Sequence, residues 1–391
     1  MNPLPISHFT ATSALGRGVA AHWQALRHEA GGLAATPYED CALSCWIGEV
    51  KGLERPLEGP LAAWDCRNNR LAALGLAQDG FAAAVAALKA RRGAARIGVF
   101  IGTSTSGVRQ TERAYAARTP DAPLPAWFDY HRTHNTGSIA AFVRLALGLE
   151  GPAMAISTAC SSSAKVFASA HRAIETGLCD AAVVGGVDSL CLTTLHGFNS
   201  LQLVSPRPCR PADATRDGIS IGEAAGFAIV EPGAVSRFAL LGYGESSDAH
   251  HMSTPEPSGR GAVDAMRAAL ARAGLEPRDI DYLNLHGTGT QANDLAEDRG
   301  VCTTFGDAIP CSSTKGWTGH TLGAAGILEA VIALICCEQG FVPRSLNTVE
   351  KDPRIGASVQ LASRSAAVRR VMSNSFGFGG SNCALVLGAV S

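Results

Sequence analysis

The sequence predicts an α/β fold made of two similar halves, and three observations carry that expectation. The run Ile97-Gly-Val-Phe-Ile-Gly102 is short, apolar and uninterrupted, as strands buried on both faces of a parallel sheet are. Ser157-Thr158 leads through a turn of small residues into the helix that follows Cys160, and Ser313-Thr314 leads through a second such turn into a helix running past Ala330. A glycine-rich hairpin expected over residues 218–230 has its counterpart over 371–387. Two strand-helix halves of this size argue for one duplicated architecture, divided into residues 1–232 and 233–391, rather than for two unrelated domains.

In chain order, residues 1–25 read as a strand and a turn before a helix starting near Val19. Residues 30–60, rich in Gly, Pro and charge without a sustained period, read as a surface excursion. Helical spacing begins near Trp64 and continues over 79–89, where Phe81, Val85 and Leu88 share a face. After the strand at 97–102, Thr103-Ser-Thr-Ser-Gly-Val turns into a helix that holds Glu112 and Tyr115. The loop over 120–130 carries Trp127, Phe128 and Tyr130, side chains suited to lining a pocket or packing in the core. A helix over 135–147 precedes the Cys160 unit, a strand over 181–190 follows it, and a loop rich in Pro and Arg spans 196–216. The second half repeats the plan, with strands expected at 238–243, 282–286 and 310–314, helices at 261–274, 294–303 and 323–337, and the hairpin of 371–387 at its end.

Composition narrows the function classes. A formal net charge of -1 argues against a general binder of nucleic acid or membrane surfaces. The amino terminus has no basic segment followed by a long apolar run, so no signal peptide is expected. The apolar stretch 327–337 is interrupted by Glu329 and falls short of the roughly 20 residues a membrane span needs. The 12 cysteines follow no regular framework, which fits reduced thiols and a cytoplasmic location. Cys41 and Cys45 lack a second ligand pair, and His131, His134, His250 and His251 read as loop or surface residues, so no metal site is expected. No dinucleotide fingerprint or P-loop is present.

Cys160 stands where strand gives way to helix, and unpaired N–H groups and the macrodipole there favour a thiolate. Ala159, Ser161, Ser162 and Ser163 leave room for a thioester, and the Cys160 N–H could donate to an oxyanion. His286 ends a strand and enters Gly-Thr-Gly-Thr, and His320 follows Thr318-Gly319 in another turn. A nucleophilic thiol beside two imidazoles suits carbon-carbon bond formation by decarboxylation, because the enolate needs two donors at its oxygen. Lys315, set among apolar residues, needs a partner, and Glu329 is the expected one.

In this order and spacing, the Cys160 stretch, His286-Gly-Thr-Gly-Thr, Ser313-Thr-Lys-Gly-Trp-Thr-Gly-His320 and Asn374-Ser-Phe-Gly-Phe-Gly-Gly-Ser-Asn382 resemble the elongating 3-ketoacyl-(acyl carrier protein) synthases of the thiolase superfamily. The resemblance implies a thiolase-like duplicated fold, layered α-β-α-β-α with two mixed sheets. It implies that Cys160 accepts the acyl chain, that His286 and His320 hold malonyl and stabilise its enolate, and that Lys315 and Glu329 complete the set. It further implies that Thr288 and Thr290 hold the phosphopantetheine amide, and that Phe378 gates the acyl chain while its N–H completes the oxyanion hole. The family uses no cofactor of its own, since the carrier brings the phosphopantetheine, and it forms dimers, homodimeric or with a chain-length-factor-like partner. An acidic carrier protein should meet a basic mouth, for which Arg67, Arg70, Arg207, Arg210 and Arg216 are the candidates. Ile221-Gly-Glu-Ala-Ala225 and the region 103–130 depart from the housekeeping fatty-acid pattern, so an aryl-polyene or type II polyketide pathway fits at least as well as fatty-acid synthesis. Two rival readings are a non-catalytic partner subunit, against which Cys160, His286 and His320 speak, and a non-condensing acyltransferase or hydrolase, which would leave the second histidine and Lys315 without a task.

Overall fold

The computed structural model describes residues 1–35, 38, 39 and 41–390. Ten strands form the frame: β1 (Leu4–Ser13), β2 (Ile97–Gly102), β3 (Ala153–Ile156), β4 (Ala181–Asp188) and β5 (Ala224–Val230), then β6 (Phe238–Ser247), β7 (Tyr282–Asn284), β8 (Pro310–Ser312), β9 (Arg370–Gly377) and β10 (Ser381–Ala389). Their order across the sheet, β8-β7-β9-β10-β6-β1-β5-β4-β2-β3, reads the same outward from the centre in both directions. In each half the first strand pairs antiparallel with the fifth, the fifth antiparallel with the fourth, and the fourth, second and third run parallel. Two mixed sheets of the same topology therefore exist. Their ladders run on into each other where Leu4, Pro5 and Ile6 of β1 pair with Leu240, Ala239 and Phe238 of β6.

The hairpin expected over 218–230 is not one. Ile221–Gly222 pairs with Ile47–Gly48, while β5 pairs with β1 and β4. The counterpart of the true β9–β10 hairpin is the β4–β5 pair, whose strands are joined by a long connection that includes the helix Leu192–Ser200 instead of a tight turn. Part of the supposed surface excursion is also core, because Ile47, Val50 and Leu53 are buried.

The helix that follows the third strand of each half, α6 (Ser162–Glu175) in the first and α10 (Ala325–Gln339) in the second, lies between the two sheets. The numbering counts α1 (Gly18–Arg27), α2 (Arg67–Leu76), α3 (Phe81–Arg92), α4 (Val108–Ala116), α5 (Ser138–Ala146), α7 (Leu192–Ser200), α8 (Arg260–Ala273) and α9 (Gln291–Phe305). Every residue of α10 from Ala325 to Cys336 is buried, which explains why it is apolar all round. The two buried helices touch at their first turns. A Cβ on Gly326 would lie 2.5 Å from the backbone nitrogen of Ala164, so only glycine allows this approach, and the Ile327 N–H donates to Ser163 Oγ at 3.0 Å. Helices α2, α3 and α5 cover the outer face of the first sheet, and α8 and α9 that of the second, giving five layers. The result places the first turns of both central helices, one preceded by Cys160 and one by His320, at the middle of the molecule.

Candidate active site

Cys160 follows β3 at a sharp bend in which Ala159 adopts φ 52°, a conformation that non-glycine residues avoid. Serines hold the bend: Thr158 N–H donates to Ser162 Oγ at 2.9 Å, Ser162 Oγ–H to the Ala159 carbonyl at 2.5 Å, and Ser161 Oγ–H to the Thr158 carbonyl at 2.9 Å. The second half repeats the strain, since Leu322, two residues beyond His320, also has φ 52°. His286 leaves β7 through a turn fixed by Glu297 of α9, whose carboxylate accepts the N–H groups of His286 and Gly287 at 2.8 and 2.7 Å.

These turns bring Cys160, His286 and His320 together, with one ligand-capable atom of each within 4.8 Å of the others. The two imidazoles stand 5.3 Å apart, nearly perpendicular. Lys315 Nζ lies 2.5 Å from Glu329 Oε1, 2.5 Å from the His286 carbonyl and 3.3 Å from His286 Nδ1. The ammonium can only donate, so His286 Nδ1 is an acceptor and its proton sits on Nε2. Leu322 N–H donates to His320 Nδ1 at 3.3 Å, which assigns the same tautomer to His320. His320 Nε2 is buried without a hydrogen-bond partner among the described residues. Burial, with the Lys315 charge beside them, holds both imidazoles well below the usual histidine range, hence neutral.

The thiol departs from the sequence expectation. Burial pushes Cys160 up to about 11, the Lys315 charge and the Phe378 N–H oppose the rise, and the carboxylates of Asp188 and Glu329 add to it. A value this high corresponds to a resting thiol, because desolvation at a site only 6% exposed outweighs the Lys315 charge and the Phe378 N–H.

Two cavities meet at Cys160. One, about 390 Å³, is lined by Cys160, both histidines, Thr288, Thr290 and Phe378 among others. The other, about 240 Å³, is lined by Ser104, Thr105, Ser157, Thr194, Phe198 and Leu322, again with Cys160 and Phe378. Phe378 packs on Phe198 with ring centres 5.6 Å apart. Thr288 Oγ1 and Thr290 Oγ1 lie 2.9 Å from each other on the wall of the larger cavity.

The arginines are not gathered at a basic mouth. Arg67 is buried against Glu223, which removes it from any docking surface, and Arg216 is enclosed between Asp294 and Asp352. Arg70 is held by Asp65, while Arg207 and Arg210 share Asp217. Of these five only Arg207 keeps about half of its side chain exposed. Trp127 and Tyr130 neither line these cavities nor enter the core: they are 52% and 49% exposed. His250 and His251 are exposed, the latter at the rim of the larger cavity. Sequence reasoning missed Glu297 and Asp188; the one available signal was an acidic residue closing a strand as apolar as β4.

A strained nucleophilic cysteine and two neutral imidazoles, brought together from the two halves of a duplicated five-layer fold, define a condensing enzyme of the thiolase superfamily. Residues 70–235 match the family model described as "Beta-ketoacyl synthase, N-terminal domain", and residues 238–349 match "Beta-ketoacyl synthase, C-terminal domain". The chain is 33% identical to 3-oxoacyl-[acyl-carrier-protein] synthase 2 of Vibrio cholerae, covering 96% of each chain, and 36% identical to nodulation protein E of Rhizobium meliloti, covering 75% of each. Among solved structures it is similar to a chain of the complex of the ketosynthase ApeO with its chain length factor ApeC from Xenorhabdus doucetiae, with 37% identity, a TM-score of 0.90 and coverage of 99% and 98%. This chain belongs to the β-ketoacyl synthase family. It is a condensing acyltransferase that joins an acyl thioester to malonyl-acyl carrier protein, with loss of carbon dioxide, to give 3-ketoacyl-acyl carrier protein.

Proposed function

We propose that this chain is the catalytic subunit of a type II ketosynthase that extends unsaturated or aryl-bearing chains, working with a chain-length-factor-like partner in the cytoplasm. The observation that carries this reading is the 37% identity, over 99% of this chain, to a chain of the solved complex of the ketosynthase ApeO with its chain length factor ApeC, read together with the Cys160, His286 and His320 set. Housekeeping fatty-acid elongation is the second reading, favoured by the match to the Vibrio cholerae synthase over 96% of both chains.

Cys160 Sγ attacks the thioester of the acyl carrier, the carbonyl oxygen is held by the N–H groups of Cys160 and Phe378, and the thiol proton ends on the departing pantetheine sulfur. Thr288 and Thr290 seat the pantetheine arm that enters the larger cavity. Phe378, with Gly379 and Gly380 at positive φ beside it, swings to admit the acyl chain to the smaller cavity. Malonyl-carrier then loses its carboxylate as carbon dioxide, and the electron pair moves onto the thioester oxygen as an enolate. The Nε2–H groups of His286 and His320 donate to that oxygen, each contributing roughly 10²–10³ in rate. The enolate carbon attacks the Cys160 thioester, the C–S bond breaks, and the released thiolate takes up a proton. Lys315, anchored by Glu329, fixes the His286 tautomer. Arg207, the exposed arginine, is the remaining docking candidate on the chain's own surface.

The test is intact-protein mass spectrometry with carriers bearing saturated, polyenoyl and aryl groups, followed by malonyl-carrier. The expected result is a mass increase at Cys160 from the polyenoyl or aryl donors, lost on malonyl addition with a product two carbons longer. Equal or better loading from long saturated donors would favour the fatty-acid reading. No loading from any donor, with or without the partner subunit, would sink both.

A further inference from the structure

Asp188, at the end of β4, is a buried carboxylate that the mechanism above does not use. Its Oδ1 accepts Thr103 Oγ1–H at 2.5 Å and the Thr105 N–H and Oγ1–H, each at 2.9 Å. Its Oδ2 accepts Ser104 N–H at 2.8 Å and Gly323 N–H at 2.6 Å. It faces no cation at ion-pair distance among the described residues, so these donors alone compensate its charge. The two groups of donors lead to different catalytic segments. Ser104 Oγ–H donates to the Ala159 carbonyl at 3.1 Å, beside Cys160, while Gly323 follows Leu322, whose N–H sets the His320 tautomer. The segments are pressed together: a Cβ on Gly323 would lie 2.6 Å from Ser104 N and 2.7 Å from Asp188 Oδ2.

We propose that Asp188 is a positioning residue that locks the His320 turn to the bend carrying Cys160, so that the His320 Nε2–H is aimed at the enolate formed beside the acylated thiol. The proposal rests on the assignment of His320 as an enolate donor. A carboxylate suits the task because both of its oxygens accept, and each must meet backbone N–H groups. An asparagine would retain Oδ1 for Thr103, Thr105 and the Ser104 N–H, which already reaches that oxygen at 2.9 Å, but turn its NH₂ toward the Gly323 N–H, donor against donor. The Cys160 side would stay in place and the His320 side would loosen.

The experiment compares wild type, Asp188→Asn and His320→Ala, each purified with any required partner subunit, in two half-reactions. One is acyl transfer from acyl-carrier protein to Cys160; the other is carbon dioxide release from malonyl-carrier protein by the acylated enzyme. For Asp188→Asn the expected result is acyl transfer within about threefold of wild type and carbon dioxide release lowered about tenfold or more, with kcat falling and KM for malonyl-carrier unchanged. Carbon dioxide release within twofold of wild type overturns the proposal, as does an equal loss of both half-reactions, which marks a merely structural role. If Asp188→Asn does not fold, Gly323→Ala, which keeps Asp188 and its 103–105 donors but presses a Cβ between the His320 turn and the carboxylate, is read by the same criteria. A His320→Ala variant that still releases carbon dioxide at the wild-type rate defeats the enolate-donor assignment itself, an outcome separate from failure at Asp188.

Discussion

At Cys160 a lysine charge and the Phe378 N–H pull toward the thiolate while desolvation pulls toward the thiol, and desolvation prevails. Alkylation of Cys160 should therefore accelerate about tenfold per pH unit from 7 to 10 and level off above its pKa of about 11. Lys315→Met removes the largest opposing influence, and Glu329, left without its partner, takes up a proton. The thiol then titrates higher, and alkylation at pH 8 should slow by several-fold. A faster reaction, or one indifferent to pH, would contradict the account. Cys160, His286 and His320 were legible in the sequence because each sits in a run of small residues at a strand-to-helix junction. Asp188 and Glu297 were not, since their importance lies in what they hold: Asp188 binds a loop 83 residues before it and a turn 135 residues after it. The same distance hid the fate of Arg67, whose partner Glu223 is 156 residues away.

Among elements, the pair α6 and α10 decides the site, because their first turns meet and so bring together the bends before them that hold Cys160 and His320. Gly326 is the contact that permits it. Gly326→Ala places a Cβ against the Ala164 backbone and should destabilise the fold by about 1–3 kcal/mol in urea denaturation, with a parallel loss of condensation. Unchanged stability would mean the helices can separate without consequence. The two strand-turn-helix units were readable from their serines, threonines and glycines. The strand over 224–230 was recognisable as a strand but not in its pairing, since a glycine-rich apolar run bears no mark of whether its neighbour is adjacent in sequence or 36 residues earlier, as Asp188 is to Ala224.

For the whole molecule, the outer edge of β3 is unpaired in the single chain, and Met154 there is exposed. Tyr115 on α4 and Trp127 and Tyr130 in the segment after it are exposed too, an unusual set of large apolar side chains for a free surface. The expectation is that these residues face the partner subunit. Paired substitution Met154→Arg and Trp127→Arg should weaken association at least tenfold in sedimentation velocity while leaving the melting temperature of the separated chain within a few degrees; undiminished assembly would place the partner elsewhere. The apolar stretch 322–339, long enough on composition to suggest a span, is 83% buried as the central helix. What the sequence determined by itself was local: the strand-turn-helix units, the duplication and the residues that carry the chemistry, each written in side-chain size and spacing within about twenty positions. Tertiary structure alone decided that the thiol rests protonated, that both imidazoles present Nε2–H, that four of the five candidate arginines are held in ion pairs with little exposure, and that Phe378 stands between two cavities. Each of these depends on burial or on distances between segments far apart in the chain, and neither quantity exists until the chain is folded.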